Sequence, residues 1–463
     1  MSGDRSGAPA AALEVLSSWL AGFTAAGPLP AAVRGRAVEI ILDDLAAAVG
    51  AAAEPAVVQV AELAGRRGPG GARVWAGGSA EPGWAALANA VACSWIELDE
   101  GYRLATCHGG LYALPAVAAE ADRLDASLGE VLSALVAGYE VATRVARAYP
   151  AARPPAVHPH ASHAALGAAA GVAALRRMPA REAAAALGAA ASFAVAGPFD
   201  HAVEGLLVRN VWPGLGAFHG ILACDLAPLG IGGSASGLSE VFGRILGPSA
   251  GLEGVEATLT GELGTRYAVQ DGYRKAYACC QYTHSAVEAV LELRAGPLRD
   301  LSAAMVERVE VEAHPLAMTL INHEPATLLA GKFSLPHAVA VAAVTGRADA
   351  AAFATDQLAD PAVASVRRRV SARPYEPEPQ PPLDRPARVT ITLRDGSSHH
   401  AESASSLGSP DRPVSAEAAL AKLDTLTAAR PGFAAMARAL LAGQVDDATP
   451  WRRVSAELLG CGS

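Results

Sequence analysis

The sequence predicts a mainly α-helical protein in which a large all-helical domain, built from both chain ends, carries a smaller α+β lid domain. Three observations support this class: the abundance of alanine, helical spacing of apolar residues towards both ends, and strand patterns confined to one internal segment. Hydrophobic residues make up 51% of the chain and aromatic residues only 5%. Alanine dominates the apolar share, has the highest helix propensity and has a small side chain that lets helices pack closely.

The helical part begins near the N-terminus. Residues 1–9 are small and polar, and we expect them to be disordered. Apolar residues then recur at helical spacing, with proline and glycine clusters between the patterns and a proline-rich joint at 150–159. The predicted helices cover residues 13–23, 31–53, 85–98, 111–123, 128–148, 163–176, 180–195 and 215–226. Residues 10–266 are therefore expected to form most of the helical domain.

The segment 267–404 has a different pattern. Residues 306–313 alternate charged and apolar side chains, which is typical of a half-buried strand, and 387–393 form a second strand pattern. Helical patterns lie beside these strands and resume after them, at 283–293, 335–344, 416–429 and 432–442. We therefore expect 267–404 to form the lid and 405–463 to rejoin the helical domain. A cleft between the two domains is the expected ligand site.

Charge and hydropathy exclude several classes of protein. The chain has 37 Lys and Arg residues against 46 Asp and Glu residues, so its formal net charge is −9, and no long basic run occurs. This composition does not fit a nucleic-acid binder. The N-terminus lacks the residue order of a secretory signal, and no apolar run is long enough to span a bilayer. We expect a cytoplasmic protein with free cysteines and no membrane partner.

The sequence lacks the common motifs for nucleotide cofactors and for a serine nucleophile. No Gly-x-Gly-x-x-Gly segment opens a helix after a strand, no P-loop lysine motif occurs, and no serine lies in a nucleophile elbow. The sequence therefore predicts acid–base chemistry without a cofactor.

The densest group of ionisable residues lies at 97–108, between two helical patterns. Its members are Glu97, Asp99, Glu100, Arg103 and His108. One interpretation is a solvated loop with ion pairs. The other is a ligand site, because the glycine pair that follows lets the backbone approach a ligand and the next helix offers its N-terminus to an anion.

Three histidines, His158, His160 and His163, follow the proline-rich joint. Zinc is the first hypothesis for such spacing, but no matching cysteine or carboxylate pair lies nearby in the sequence. We therefore favour an acid, base or anion-donor role, with one or two of the histidines capping the helix that begins there.

Two further clusters contain cations. Arg209 precedes an apolar helical pattern, and it is either a stacking or surface residue or a clamp for a carboxylate. Cys280 follows Lys275 and precedes His284, and positive neighbours lower the pKa of a thiol. Cys280 is therefore either a core residue or a participant in acid–base chemistry.

These clusters resemble those of the MmgE/PrpD family, which includes 2-methylcitrate dehydratase, cis-aconitate decarboxylase and iminodisuccinate epimerase. The resemblance runs nearly from end to end of the chain. Five segments carry it in order: 138–144, the His-Pro pair at 158–159, 204–214, Tyr-Ala-Cys-Cys-Gln-Tyr-Thr-His at 277–284, and Gly-Lys-Phe-Ser-Leu-Pro at 331–336.

The resemblance implies a homodimer and a metal-free site, between the helical domain and the lid, for a di- or tricarboxylate. The family's common chemistry removes a proton α to a carboxylate, and water or CO2 is then lost or the carbon is reprotonated. Such a step needs a base and groups that stabilise the developing enediolate.

Ten residues form the predicted site. The catalytic set is His108, His158, Arg209, Cys280 and Glu97, and the substrate-binding set is Arg103, Tyr102, Gly101, Lys275 and His284. His108 or His158 would take the α-proton, Arg209 and Arg103 would hold carboxylates, and Cys280 or a histidine would deliver a proton to the leaving group.

Several positions depart from the family pattern. Glu97 and Gly101 stand where decarboxylases carry aspartate and threonine, and Cys107 resembles a one-residue insertion. Arg209 replaces the usual catalytic lysine, which matters because an arginine stays protonated and is a poor base. The remaining departures are a cysteine at 280, where decarboxylases carry histidine, and a methionine at 318, near the position of the family's later tyrosine.

Three functions follow from this pattern. The leading hypothesis is a lyase acting on a small polycarboxylate, with dehydration favoured over decarboxylation. The second is an epimerase or isomerase with two bases, for which His158 and Cys280 are candidates. The third is a binding protein that keeps the fold and has lost the chemistry.

Overall fold

Helices form most of the chain that the structure describes and the sheets are small, which confirms the mainly α-helical class. The computed structural model describes residues 7–460 apart from 24–26, 153, 248–253, 381–382 and 384. The helices of the first part are α1 (Gly7–Phe23), α2 (Ala31–Ala51), α3 (Pro55–Arg67), α4 (Pro82–Trp95), α5 (Gly109–Leu124), α6 (Leu128–Ala148), α7 (Pro159–Ser162), α8 (Ala164–Leu175), α9 (Ala180–Ser192), α10 (Asp200–Glu204), α11 (Val208–Leu226) and α12 (Val255–Thr260).

The later helices flank a sheet and then return to the first part of the chain. They are α13 (His284–Ala295), α14 (Leu328–Lys332), α15 (Leu335–Thr345), α16 (Thr355–Ala359), α17 (Pro361–Arg367), α18 (Ala416–Leu426), α19 (Pro431–Leu441) and α20 (Trp451–Leu459). A π-helical segment, Ser239–Ile245, and short 3-10 turns join some of the α-helices.

The core of the helical part surrounds α8, every residue of which is buried. Its sequence consists of alanine and glycine with two leucines and one valine, so α5, α6 and α11 can pack against it. At the contact with α11, a Cβ atom on Gly216 would lie 2.3 Å from the Cβ of Ala164. The alanine and glycine content therefore sets the close helix spacing, as the composition predicts.

The ends of the longer helices follow their sequences. The helix α6 begins after Ser127, whose hydroxyl accepts a hydrogen bond from the Glu130 N–H at 3.3 Å. The Glu130 carboxylate in turn accepts from the Ser127 N–H at 2.9 Å, which completes a capping box. Its bounds, 128–148, are those predicted from the sequence.

The strands of the described chain are β1 (Ala72–Arg73), β2 (Ser79–Ala80), β3 (Gly101–Tyr102), β4 (Gly272–Tyr273), β5 (Val306–Ala313), β6 (Val370–Pro374), β7 (Ala387–Leu393) and β8 (Ser398–Ser403). The main sheet contains four of them, in the order β6-β5-β7-β8. β5 runs parallel to β6 and antiparallel to β7, with Val309 opposite Ile391, and β7 forms an antiparallel pair with β8. The helix α13 packs against β7 and β8, and β5 buries some of its residues and exposes others, as the half-buried pattern of 306–313 predicts.

The last helices pack on the first part of the chain: α18 and α19 contact α2, and α20 contacts α5. Lys422 on α18 donates a hydrogen bond to the Asp43 carboxylate at 2.7 Å and to the Leu98 carbonyl at 2.9 Å. The C-terminal helices therefore hold the start of the loop that carries the first ionisable cluster.

Two expectations about element boundaries are wrong. The helix α1 begins at Gly7, so residues 7–9 are helical rather than disordered, and residues 1–6 lie outside the described chain. The helix predicted from 215 begins at Val208 and continues through Pro213, although a proline beyond the first turn removes one N–H and its ring crowds the carbonyl four residues earlier. Arg209 is therefore part of a helix.

Two further findings concern membrane spans and cysteines in the described residues. Over the described ranges, no helix combines the length and the apolar character that a membrane span requires. The cysteines in those ranges are free and buried, and Cys461 lies outside them.

Candidate active site

The four groups of candidate residues from the sequence meet around one cavity, which we call the central cavity. It encloses about 490 Å³, including space open to solvent. Its walls are formed by Glu97, Tyr102, Ala105, Thr106, Cys107, His108, His158, Pro159, Phe199, Arg209, Tyr273, Lys275, Cys280, Gln281, Tyr282, Phe333 and Arg385. All five residues of the predicted catalytic set contribute to this wall.

The short strands β3 and β4 bring the first two clusters together. Gly101 pairs with Tyr273 and Tyr102 with Gly272 in an antiparallel arrangement. The loop then folds back, because the Tyr102 N–H donates to the Cys107 carbonyl at 2.8 Å. The pairing of β3 with β4 joins residues about 170 positions apart in the chain.

Glu97 lies at the centre of the charged network. Its backbone has a φ of 58°, in the left-handed region that non-glycine residues seldom adopt and that costs about 1–3 kcal/mol. The carboxylate is buried and paired with the Arg209 guanidinium, and its other oxygen lies 3.1 Å from the Lys275 ammonium. Burial raises the pKa of Glu97, but the charges of Arg209 and Lys275 outweigh burial and lower that pKa.

His108 and Asp99 form a second pair in this network. The His108 Nδ1 lies 2.6 Å from Asp99 Oδ2, and the other Asp99 oxygen lies 3.5 Å from the Lys275 ammonium. Burial raises the pKa of Asp99, but the positive charges of Lys275 and His108 hold it well below its usual range. An ionised Asp99 accepts a hydrogen bond from the Nδ1–H group, which places the basic lone pair of the imidazole on Nε2.

His158 differs from His108 in its partners. Its Nδ1 accepts a hydrogen bond from the His160 N–H at 3.2 Å, and its ring stacks on Phe199 at a centroid distance of 5.6 Å. Burial and the nearby Arg209 charge lower the pKa of His158 well below its usual value. The imidazole is therefore neutral and a weak base, and the Arg209 Nε–H donates to its Nε2 at 3.4 Å.

The other two histidines of that cluster do not line the central cavity. His160 lies behind it and shares a 2.9 Å hydrogen bond with the Tyr112 hydroxyl. His163 shares a 2.7 Å hydrogen bond with the Ser162 hydroxyl and lines a neighbouring cavity. In the described part of the chain, no group of three or more His, Cys, Asp and Glu side chains is arranged to hold a metal ion.

Lys275 is the buried cation that touches both carboxylates. Burial lowers the pKa of its ammonium, but Asp99 and Glu97 reverse this effect and raise it above the usual value. Lys275 therefore stays protonated, and it serves as a positive charge rather than as a base. Together with Arg209 it balances the two carboxylates, and Arg385 adds another positive charge to the wall.

The remaining predicted residues lie at different depths. Cys280 lines the cavity, and burial raises the pKa of its thiol, contrary to the lowering expected from its cationic neighbours. His284 does not line the cavity, because its Nε2 bonds to the Cys279 carbonyl at 3.1 Å. Arg103 is buried beside the neighbouring cavity, and Gly101 lies under the ring of Tyr273.

Sequence reasoning missed several polar side chains of the wall, among them Tyr273, Tyr282 and Arg385. Tyr273 and Tyr282 flank the predicted Lys275 and Cys280, so the same segment contained the signal for them. Arg385 gave no such signal, because it stands in a proline-rich stretch of sequence, far in the chain from the other predicted residues. Its guanidinium lies 4.9 Å from the ring centroid of Tyr282 and donates to the Arg103 carbonyl at 3.1 Å.

Comparison with protein families gave two matches that together span most of the chain. The model of the MmgE/PrpD N-terminal domain matches residues 14–245. The model of the MmgE/PrpD C-terminal domain matches residues 277–445. Comparison with curated proteins gave no match.

Proposed function

The chain belongs to the MmgE/PrpD family, whose members are generally lyases and dehydratases, and on this premise we propose that it dehydrates a small hydroxylated di- or tricarboxylate without a cofactor. The proposal rests on one observation above all. The half-buried His108, paired with the buried Asp99, faces a cavity whose wall also holds the cations Lys275 and Arg209. The proposal includes a homodimer, as the family resemblance implies, and a cytoplasmic location, as the cysteine pattern predicts.

His108 is the proposed base. Its Nε2 takes the proton from the carbon α to a substrate carboxylate, and the Asp99 carboxylate at 2.6 Å from Nδ1 stabilises the imidazolium that forms. His158 is the weaker candidate, because burial and Arg209 lower its pKa and its ring bonds, among the described residues, to His160 and Arg209 rather than to a carboxylate.

Positive groups stabilise the charge that develops when the proton leaves. The electron pair of the broken C–H bond moves into the adjacent carboxylate, which becomes an enediolate. Lys275 and Arg209 lie in the cavity wall, where a cation in a water-poor site stabilises such a charge more than it would in water. Arg209, an arginine at the family's lysine position, acts here as an anchor.

Tyr273 is the proposed proton donor for the leaving group. Burial raises the pKa of its hydroxyl, so the group keeps its proton until the reaction needs it. The C–O bond of the substrate breaks, the departing hydroxide takes the Tyr273 proton, and water leaves. The nearby charges of Lys275 and Arg385 stabilise the tyrosinate until the His108 proton replaces the one lost.

The geometry favours elimination over epimerisation. Two-base epimerisation needs a second base on the opposite face of the carbon, for which His158 and Cys280 were the candidates. The lowered pKa of His158 and the raised pKa of Cys280 make both poor bases at neutral pH. Only one histidine in the described cavity wall has a carboxylate partner, and that is His108.

A direct assay tests the proposal. The purified chain is incubated with a panel of hydroxylated di- and tricarboxylates, and formation of the unsaturated acid is followed by absorbance and mass spectrometry. We expect one or more acids to lose water, and His108→Ala to reduce kcat by about 10²- to 10⁴-fold. His400→Ala, an exposed histidine on β8, is the matched control. No turnover of any acid, or an unchanged kcat in the His108 variant, would contradict the proposal.

A further inference from the structure

A second cavity, which we call the outer chamber, adjoins the central cavity. The two cavities share six wall residues: Ala105, Thr106, Pro159, Phe199, Tyr282 and Arg385. The outer chamber encloses about 1180 Å³ and the central cavity about 490 Å³, both including space open to solvent. The two cavities are therefore adjacent, and a substrate that reached from one to the other would pass between these shared residues.

The outer chamber has a largely apolar wall. Its apolar side chains come from the end of α6, the proline-rich joint, the π-helical segment and the loop after β5; examples are Tyr149, Val157, Phe242, Leu246 and Leu316. The Phe242 ring lies 6.2 Å from that of Tyr149 and 4.9 Å from that of His163, between centroids. Burial lowers the pKa of His163 to about 4, so this histidine is neutral at pH 7.

The charged groups of the chamber are all of one sign. Arg103, Arg147 and Arg385 line it, and no aspartate or glutamate does so in the described part of the chain. Arg385 and Thr106 stand at the shared wall, and the Thr106 hydroxyl bonds to the Tyr282 hydroxyl at 2.9 Å. The positive charges favour an anionic molecule, and the apolar side chains of the same wall favour one that also carries an apolar group.

From this geometry we infer that the substrate carries a bulky apolar group, aryl or branched alkyl, on its hydroxylated polycarboxylate head, and that the outer chamber binds this group. The inference rests on the proposed function, since it assumes that the head reacts at His108. A compact acid would leave the apolar wall of the chamber in contact with water. An apolar substituent removes that surface from water, which favours binding.

The test compares two acids that share a head and differ only in the substituent. These are 2-methylmalate and 2-benzylmalate, both of which have a hydroxyl on one carbon and a removable proton on the next. Isothermal titration with the full chain measures the two Kd values. We expect the benzyl acid to bind at least about tenfold more tightly than the methyl acid, a difference of about 1.4 kcal/mol.

A variant that fills the chamber tests the location. Ala156 lies in the proline-rich joint, is exposed and lines the chamber, so Ala156→Trp places a large side chain there with little risk to folding. We expect the ratio of the two affinities to fall about tenfold towards unity. Ala429→Trp, on an exposed connection between α18 and α19, is the control and should keep the ratio.

The outcomes separate the two proposals. Equal or weaker binding of the benzyl acid, or an unchanged ratio in Ala156→Trp, overturns the assignment of the chamber but keeps the carboxylate site. Binding of neither acid overturns the assignment of the chamber, and the proposed function is then decided separately by the panel assay with His108→Ala. A crystal structure with 2-benzylmalate gives an independent check, with the phenyl ring expected near Phe242.

Discussion

The Tyr273 side chain fills the space that a side chain at Gly101 would need: a Cβ atom on Gly101 would lie 2.3 Å from the Tyr273 hydroxyl oxygen. The two residues are also paired across β3 and β4. Decarboxylases of the resembling family carry a threonine at the position of Gly101. In this chain the side chain is absent, and the Tyr273 hydroxyl occupies the space instead. The absence of a side chain at position 101 and the position of the Tyr273 hydroxyl are therefore linked by packing.

Tyr273→Phe removes the hydroxyl and keeps the ring. If this hydroxyl protonates the leaving group, kcat should fall by about 10²- to 10⁴-fold while the melting temperature changes little. Steady-state kinetics and thermal unfolding of the same preparation check this. The role would be excluded if the variant kept kcat within threefold of wild type.

Gly101→Ala should destabilise the protein because the new Cβ meets the buried Tyr273 ring. In a Tyr273→Ala background the same substitution should cost much less, since the ring is gone. Residues in contact give non-additive changes of about 0.5–3 kcal/mol, which urea unfolding of the four proteins can resolve. Additive effects would show that the ring moves away without cost.

Asp99→Asn tests the partner of the proposed base. The amide cannot stabilise the imidazolium by charge, so we expect kcat to fall by about 10²-fold or more. The dependence of kcat/KM on pH should change as well, which a purely structural defect would not produce. Asp395→Asn, at an exposed turn, serves as the control. Unchanged kinetics in Asp99→Asn would assign the chemistry to another group.

Glu97→Ala leaves the buried charges of Arg209 and Lys275 without one of their carboxylates. Breaking a buried pair in this way costs about 3–5 kcal/mol of unfolding free energy. The double variant Glu97→Ala with Arg209→Met should recover part of the loss, because it also removes one of the cations. A loss below about 1 kcal/mol in the single variant would mean that water solvates the cations.

The buried pair Asp44 and Glu100 predicts a pH dependence of stability. Burial raises the pKa of Glu100 to about 8 from a usual value of 4.5, and the pKa of Asp44 is raised by burial and by the Glu100 charge. Between 4.5 and 8 the folded state binds a proton that the unfolded state has released. Stability should therefore fall as pH rises through this window, by at most about 1.4 kcal/mol per pH unit for one such group.

Glu100→Gln provides the check on that sign. Its amide resembles the protonated carboxyl and accepts from the Gly110 N–H as Glu100 does, but it does not titrate. The fall in melting temperature across the window should be smaller in this variant than in wild type. Glu417→Gln on α18 is the exposed control, and identical pH curves for Glu100→Gln and wild type would contradict the assignment.

Some of the fold was predictable because helix and strand formation depend on local patterns. The bounds of α6, β5 and β7 agree with their patterns, since each has a clear apolar period and a defined end. α20 was missed, and β6 and β8 gave no separate signal because sheet partners supply the contacts that stabilise short strands. The residue types of the site, charged groups in an alanine-rich chain, were visible in the same way.

The sequence by itself determined the helical class, the family resemblance, and seven of the 17 residues that line the central cavity. Tertiary structure decided their roles, because a role depends on partners that are distant in the chain. It pairs His108 with Asp99 and leaves His158 neutral beside Arg209, and it keeps His284 out of the cavity. Arg385 reaches the wall from beyond position 380, and no local pattern encodes that approach. Packing, burial and charge in three dimensions set these differences, and they are not properties of any one segment.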